Sequence, residues 1–186
     1  MAKPIVLCAD STCDLSPELI EKYNVHVIPM HVNLDGNTYA DGVDIDPDAI
    51  YAVYREKKVL PTTAALNMDE FMEFTRPFIE AGNDVICLTL GSALSTTYNN
   101  CRLASLEMEG LYAIDSNNLS TGFGHLVIAA AERIRRSVCG AGGGRGAGAG
   151  SQCTCGPQCT AGSQSSHRAC PRRRRQHAFQ SAGRFL

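Results

Sequence analysis

The chain has 186 residues, of which 44% are hydrophobic and 19% are charged, and its formal net charge is −2. No apolar stretch approaches the ~20 residues that a membrane-spanning helix requires, and no signal-peptide pattern opens the sequence, so we exclude a membrane span and expect a cytoplasmic protein. Cys8, Cys13, Cys87 and Cys101 lie among core-type residues, which is typical of reduced thiols in that compartment.

The composition divides the chain near residue 136. Residues 1–136 hold ten basic and 19 acidic residues, a formal charge of −9, whereas residues 137–186 hold seven Arg and no acidic residue, a charge of +7. Ten of the 17 Gly and five of the nine Cys also fall in residues 137–186. We therefore predict one folded domain over residues 1–136 and a disordered, low-complexity tail rich in Gly, Ala, Arg and Cys over residues 137–186.

Strand and helix patterns alternate along residues 1–136. Ser16-Pro17 and Asp46-Pro47 predict helix starts, and Asp35-Gly36 predicts a two-residue hairpin. The alternation predicts an α/β fold with a mainly parallel sheet and helices on both faces. The predicted segments are a strand over 3–9, a helix over 17–23, a strand over 25–32 with Pro29 marking an edge or a bulge, a helix after 47, a loop over 60–65, a helix from Asn67 to Gly82, a strand over 84–90, a helix from Ser95 onward, a strand over 111–114 and a helix from Ser120 to Arg136.

The stretch DVICLTLGSALSTTYNN, residues 84–100, carries the strongest functional signal. Its apolar run stops at Gly91, and five hydroxyl side chains lie within residues 92–98. A strand that leads through such a loop into a helix start is a common anion site, because free backbone N–H groups and the positive end of the helix dipole converge there.

Two other predicted strands end in small hydroxyl residues, at Asp10-Ser11-Thr12 and at Asp115-Ser116. In parallel sheets, ligands bind beyond the carboxyl ends of the strands. Caps and turns explain any one of these hydroxyls, but their repetition favours an anionic ligand, a carboxylate or a phosphate, held without a metal. The candidate binding residues are Ser92 and Ser95 on one loop and Thr62 and Thr63 on another, with Ser11 and Ser116 flanking them.

Two alternative functions remain open at this point. Ser95, His125 and Asp115 are the residue types of a serine hydrolase, but no Gly-x-Ser-x-Gly elbow is present and a His within an apolar helix is more often a core or boundary residue. The run Arg172–Arg175 is able to attract nucleic acid electrostatically, although a bare Arg run is a weak signal and nucleic acid is not the favoured partner.

Three cofactor or metal patterns are incomplete, so we expect neither a cofactor nor a metal. Gly122-Phe123-Gly124 lacks the third glycine of a dinucleotide fingerprint and indicates a turn or tight helix packing. A group of aspartates resembles a calcium loop only in charge and indicates a solvated loop that leads to a helix cap. These aspartates are Asp41, Asp44, Asp46 and Asp48. The cysteines and the histidine of the tail lack the paired spacing of a zinc site; they are Cys139, Cys153, Cys155, Cys159, His167 and Cys170.

Five motifs in order along residues 5–135 resemble the DegV family. They are ADSTCDL at 9–15, VIPM at 27–30 followed by YADGVDI at 39–45, LPTTA at 60–64, LTLGSALSTTYN at 88–99, and IDS at 114–116. The resemblance implies a two-domain α/β protein, not itself an enzyme, that binds a long-chain fatty acid in an apolar tunnel. It also implies that the protein presents the fatty carboxylate to a partner fatty acid kinase for phosphorylation, a step of phospholipid metabolism. By motif position, the head-group residues of the family correspond to Thr63 and Ser95.

The sequence departs from the family pattern at two places. The usual Ser-Gly-Thr is Ser95-Thr96-Thr97 here, which adds bulk to the loop. After Arg136 the pattern stops, and the composition of residues 137–186 is that of a GC-rich gene read in the wrong frame. We therefore expect a truncated DegV-type N-terminal domain over residues 1–136, with fatty-acid binding impaired by the loss of the second domain.

Overall fold

A computed structural model of the protein describes the backbone of residues 3–140 and the side chains of residues 3–137. These residues form one four-stranded and one three-stranded sheet. The strands are β1 (Ile5–Asp10), β2 (Val25–Ile28), β3 (His31–Leu34), β4 (Asn37–Ala40), β5 (Thr62–Ala64), β6 (Asp84–Thr89) and β7 (Leu111–Asp115). The helices are α1 (Pro17–Tyr23), α2 (Pro47–Lys57), α3 (Met68–Glu80), α4 (Thr97–Glu107) and α5 (Ser120–Gly140), with a short 3-10 helix at Ser11–Cys13.

The larger sheet is parallel, in the order β2-β1-β6-β7. Successive residues of a strand point to opposite faces, so β1 contributes to two cores. On one face Cys8 packs with Phe71 of α3 and Cys101 of α4. On the other face Leu7 packs with Phe123 and Val127 of α5. The predicted parallel sheet with helices on both faces is confirmed.

The smaller sheet is antiparallel, in the order β4-β3-β5. Asp35 and Gly36 join β3 to β4 with φ values of 52° and 80°. Positive φ at both central residues is the requirement of the hairpin turn whose twist matches that of its strands, so the predicted hairpin is confirmed. Val32, Leu34 and Ile45 form the buried cluster of this part of the molecule.

Two segment predictions are wrong, and both concern the smaller sheet. Residues 25–32 are two strands rather than one: β2 ends before Pro29 and β3 begins after it in the other sheet. Pro29 has no N–H to continue a ladder, so a single strand is interrupted there. Residues 60–65 contain strand β5, which pairs Thr62 with Asn33 and Thr63 with Val32. A partner thirty residues away in sequence leaves no local signal.

Three predicted helix starts are confirmed. Pro17 and Pro47 open α1 and α2, where Asp46 Oδ1 accepts from the N–H of Ala49 at 2.8 Å. Asn67 and Glu70 form the predicted capping box of α3. Ser16 occupies the N-cap position of α1, but its side chain makes no capping hydrogen bond.

Two helix ends differ from the prediction. α4 begins at Thr97, two residues after the predicted start at Ser95, and α5 continues past Arg136 to Gly140. The predicted disorder of the tail, its cysteine cluster and its Arg run lie outside the described residues, and the domain division at residue 136 stays a prediction.

A buried carboxylate joins the ends of β1 and β6. Asp10 is fully buried, and its Oδ1 accepts from the N–H of Thr12 at 3.1 Å and from Thr12 Oγ1 at 2.5 Å. Its Oδ2 accepts from the N–H of Leu90 at 2.7 Å. Loss of hydration on burial raises the pKa of Asp10, and the three hydrogen bonds offset only part of this effect.

We expect Asp10→Asn to lower the free energy of unfolding at neutral pH by about 2 kcal/mol, because one amide NH₂ then faces a backbone donor in place of an acceptor. Folding raises the pKa of Asp10. The ionisable carboxyl of Asp10 therefore makes its full contribution to the free energy of unfolding below the unfolded-state pKa, and this contribution is lost as the pH rises through the folded-state pKa. The stability margin of the wild type over Asp10→Asn should therefore shrink as the pH rises through that window.

Urea unfolding of both proteins at a series of pH values measures this margin. Asp46→Asn is the matched control, because Asn and Asp are equally good N-cap residues and its effect should stay below about 0.5 kcal/mol. A difference in stability between wild type and Asp10→Asn that grows with rising pH would contradict the raised pKa of Asp10.

A second stability prediction concerns two fully buried threonines. Thr89 Oγ1 has no hydrogen-bond partner within residues 3–137, whereas Thr75 Oγ1 donates to the carbonyl O of Phe71 at 2.7 Å. Thr89→Val should be neutral or stabilising by up to about 1 kcal/mol, and Thr75→Val should cost about 1 kcal/mol. Parallel urea titrations test the difference, and equal destabilisation by both variants would refute it.

Candidate functional site

The candidate site lies at the carboxyl ends of β1, β6 and β7, where hydrogen bonds join the three turns that follow these strands. Asp10 joins the first turn to the second, as described above. Gly91 N–H donates to the carbonyl O of Asn118 at 2.8 Å, and Ser92 N–H donates to Asp115 Oδ1 at 3.1 Å. The prediction that these strand ends share one rim is confirmed.

The loop between β6 and α4 uses several of its N–H groups inside the protein. Besides Gly91 and Ser92, Leu94 donates its N–H to the carbonyl O of Gly91 at 2.9 Å. Within the described residues, the N–H groups of Tyr98 and Asn99 in the first turn of α4 have no acceptor. The N–H groups of Ala93, Ser95 and Thr96 likewise have no acceptor there. The donors free for an anion therefore lie in the later part of this loop and at the start of α4.

Ser95 lies two residues before this helix start, with its side chain half-buried. Its Oγ accepts from the N–H of Thr97 at 3.2 Å and lies 2.9 Å from Thr97 Oγ1. The N-cap residue of α4, Thr96, makes no side-chain capping hydrogen bond. Apart from the Thr97 N–H, which Ser95 Oγ accepts, the positive end of the helix therefore has no side-chain acceptor among the described residues. A hydroxyl beside free N–H groups at a helix start is suited to a carboxylate.

Thr62 and Thr63 lie on β5, an edge strand of the smaller sheet, and both are exposed. The loop that follows β5 is held against α4, because Asn100 Nδ2 donates to the carbonyl O of Leu66 at 2.7 Å. No hydrogen bond joins Thr63 to Ser95 in the part of the chain that the structure describes. The structure therefore ties the chain after β5 to α4, the helix that follows Ser95, without a hydrogen bond between the Thr63 and Ser95 hydroxyls among the described residues.

Ser11 and Ser116, the predicted flanking residues, use their hydroxyl protons within the protein. Ser11 Oγ donates to Asp41 Oδ2 at 2.7 Å and accepts from the N–H of Met30 at 3.1 Å. Ser116 Oγ donates to the carbonyl O of Asn118 at 3.1 Å and also accepts from its N–H. These contacts give both hydroxyls a role in building the rim.

The side chains of the hydrolase alternative are not joined. His125 is exposed on α5, and across residues 3–137 no hydrogen bond links it to Ser95 or Asp115. Among the buried thiols, loss of hydration raises the pKa of Cys8 to about 12, so this side chain is neutral and a poor nucleophile. Within the described residues, Ser95, His125 and Asp115 therefore do not form the hydrogen-bonded arrangement of a serine hydrolase.

The Gly-Phe-Gly segment is a packing feature of α5. A Cβ at Gly124 would lie 2.5 Å from the carbonyl O of Cys13, and a Cβ at Gly122 would collide with the side chain of Asn118. The interpretation as tight helix packing is confirmed. Among the described side chains, no group of three or more His, Cys, Asp or Glu is arranged to hold a metal ion.

Over residues 3–140, no helix combines the length and the apolar character that crossing a membrane requires.

Sequence reasoning missed several residues that shape the site. Asp10 and Asp115 each accept the N–H two residues further on, a local turn pattern that the Asp-Ser pairs at both strand ends could have revealed. Sequence reasoning also missed the contact of Thr97 with Ser95, because it placed the start of α4 at Ser95 rather than at Thr97. His31 Nε2 lies 2.5 Å from Glu70 Oε1 and ties β3 to α3, a pairing across 39 residues that leaves no local pattern.

Comparison with known proteins gives matches within the residues that the structure describes. Residues 4–137 match the family described as "Uncharacterised protein, DegV family". A DegV domain-containing protein of Clostridium perfringens is 38% identical over 136 residues, which is 72% of this chain and 49% of that protein. The structure of a DegV family protein from Thermus thermophilus, described for its fatty acid binding, is similar with a TM-score of 0.66 and 32% identity over 72% of this chain and 48% of that chain.

A stearic-acid-binding protein from Eubacterium ventriosum is also similar, with a TM-score of 0.64 and 29% identity over 73% of this chain and 48% of that chain. This chain spans about half the length of each of these three proteins. The family match covers most of the chain, in the same residues that form the parallel sheet and its helices. The chain belongs to the DegV family.

Proposed function

We propose that this protein binds a long-chain fatty acid by its carboxylate and presents it to a partner fatty acid kinase in the cytoplasm. The observation that carries the proposal is the Ser95 hydroxyl beside the start of α4, where the N–H groups of Tyr98 and Asn99 have no acceptor among the described residues. Thr63 on strand β5 is the second head-group donor, with the hydroxyls of Thr62 and Ser92 supporting it. Similar structures from the family bind fatty acids, which supports the same class of ligand here.

The electrostatics favour an amphiphile over a small free anion. Residues 1–136 carry a formal charge of −9, so long-range attraction does not bring an anion to this rim. Affinity must therefore come from apolar contact, which contributes about 0.8 kcal/mol for each buried CH₂ group. Leu94, beside Ser95, is 62% exposed, and Leu60, two residues before β5, is 70% exposed. Both are available to contact an acyl chain.

Under this proposal, the protein is a binding protein and not an enzyme. Its buried, free cysteines are compatible with a reducing compartment, which supports the cytoplasmic assignment. The neutral Cys8 thiol, and the absence of a hydrogen bond between His125 and Ser95 among the described residues, support binding over hydrolysis.

Native mass spectrometry of the purified full chain tests the ligand. We expect a mass excess that corresponds to a long-chain fatty acid, and we expect Thr63→Ala and Ser95→Ala each to weaken fatty-acid binding roughly 10–100-fold, since a hydrogen bond to a charged group contributes about 1.5–3 kcal/mol.

Ser105→Ala is the matched control, because Ser105 lies on the same helix with its Oγ bonded to the carbonyl O of Arg102. It should bind fatty acid as the wild type does. A wild-type chain that neither retains nor takes up fatty acid would contradict the proposal.

The kinase step has a separate test. With a bacterial fatty acid kinase and ATP, we expect acyl phosphate to form only when this chain supplies the fatty acid, and Ser95→Ala to lower the initial rate at limiting fatty acid. Equal rates with and without the chain would remove the presentation role while leaving fatty-acid binding in place.

A further inference from the structure

The strongest unassigned feature beside the proposed site is Thr97, the first residue of α4. Its side chain is fully buried, yet its hydroxyl has two neighbours of different kinds. Thr97 Oγ1 lies 2.9 Å from Ser95 Oγ and 4.0 Å from the sulfur of Met30. Its N–H also donates to Ser95 Oγ at 3.2 Å. One residue thus makes two contacts with the oxygen proposed to hold the ligand.

The number of protons determines what these contacts allow. A serine hydroxyl has one proton and two lone pairs, and the Thr97 N–H occupies one lone pair of Ser95 Oγ. When Thr97 Oγ1 also donates to Ser95, both lone pairs are used and the Ser95 proton is free to point outward. When the Thr97 proton points to the Met30 sulfur, the Ser95 proton is drawn inward to Thr97 Oγ1.

We propose that Thr97 is a positioning residue that turns the Ser95 hydroxyl proton toward the carboxylate of the bound fatty acid. The thioether of Met30 is a weak acceptor, so little energy holds the Thr97 proton on that side. A charged acceptor beside Ser95 favours the outward arrangement, and the bond from Thr97 to Ser95 strengthens the bond from Ser95 to the ligand. This inference rests on the proposed function and assigns a residue that does not touch the ligand.

The variants separate the hydroxyl of Thr97 from its shape. Thr97→Val keeps the volume and the N–H contact but removes the hydroxyl, and it should weaken fatty-acid binding roughly three- to tenfold, the range of one neutral hydrogen bond. Thr97→Ser restores the hydroxyl and should bind within about twofold of the wild type. Thr97→Ala is a second hydroxyl-free variant in case the valine disturbs the start of α4.

A ligand without a carboxylate separates positioning from a merely structural role. The methyl ester of the same fatty acid lacks the charged acceptor, so Thr97→Val should bind it as the wild type does. In a chain that already carries Ser95→Ala, Thr97→Val should not weaken fatty-acid binding further, because the Thr97 hydroxyl acts only through Ser95. Affinities from calorimetric titration of the full chain, with thermal unfolding as a check on the fold, give all these comparisons.

The outcomes distinguish this inference from the proposed function. If the wild type binds fatty acid and Ser95→Ala weakens binding, the inference is overturned by a Thr97→Val variant that binds as the wild type does, or that loses acid and ester equally. If the wild type binds no fatty acid, or Ser95→Ala has no effect, the head-group assignment fails and the inference fails with it.

Discussion

The fold of this domain depends on the placement of one buried carboxylate. Asp10 ends β1 and receives three hydrogen bonds, two from the turn that follows it and one from the residue after β6. Without such a bond, two neighbouring parallel strands would end in turns that are free to diverge. The carboxylate loses hydration to hold them, which is why its pKa is raised. The bond from the Leu90 N–H to Asp10 fixes the start of the loop that leads to α4.

The rim separates the groups that build it from the groups left to bind. Asp10, Asp41 and Asp115 accept hydrogen bonds from neighbouring turns, so their negative charges are directed to internal donors. Two of these bonds use the N–H groups of Leu90 and Ser92, and the carbonyl O of Asn118 accepts from the N–H of Gly91 between them. The donors that remain, in the later part of the loop and at the start of α4, are uncharged N–H and hydroxyl groups. On the proposed function, these donors would hold the head group in position, while the apolar tail would supply most of the binding free energy.

Local chemistry predicted much of the fold. The Asp35-Gly36 hairpin, the proline-led helix starts and the capping box at Asn67 each depend on residues within four positions of one another. The parallel sheet followed from the alternation of strands and helices. The family resemblance, and with it the fatty acid, came from motifs rather than from physical reasoning on composition.

The features that sequence reasoning missed depend on distant partners. β5 exists because β3 lies beside it, and Ser11 is bound to an aspartate thirty residues away. Pro29 correctly indicated an interruption, but nothing local shows that the chain changes sheets there. At the site, the hydroxyl cluster was predictable, whereas the division between bonded and free N–H groups required the three-dimensional register of the turns.

The strand order also has a consequence for how the chain reaches this structure. β1 pairs on one side with β2, but its central neighbour is β6, so Ile5 lies beside Asp84, which is 79 residues further along the chain. Closing so long a loop costs entropy before the contacts it allows are gained, and such topologies fold slowly. During synthesis, one edge of β1 therefore stays unpaired until β6 has emerged from the ribosome. The small antiparallel sheet and α3 are encoded in between and can form during that interval.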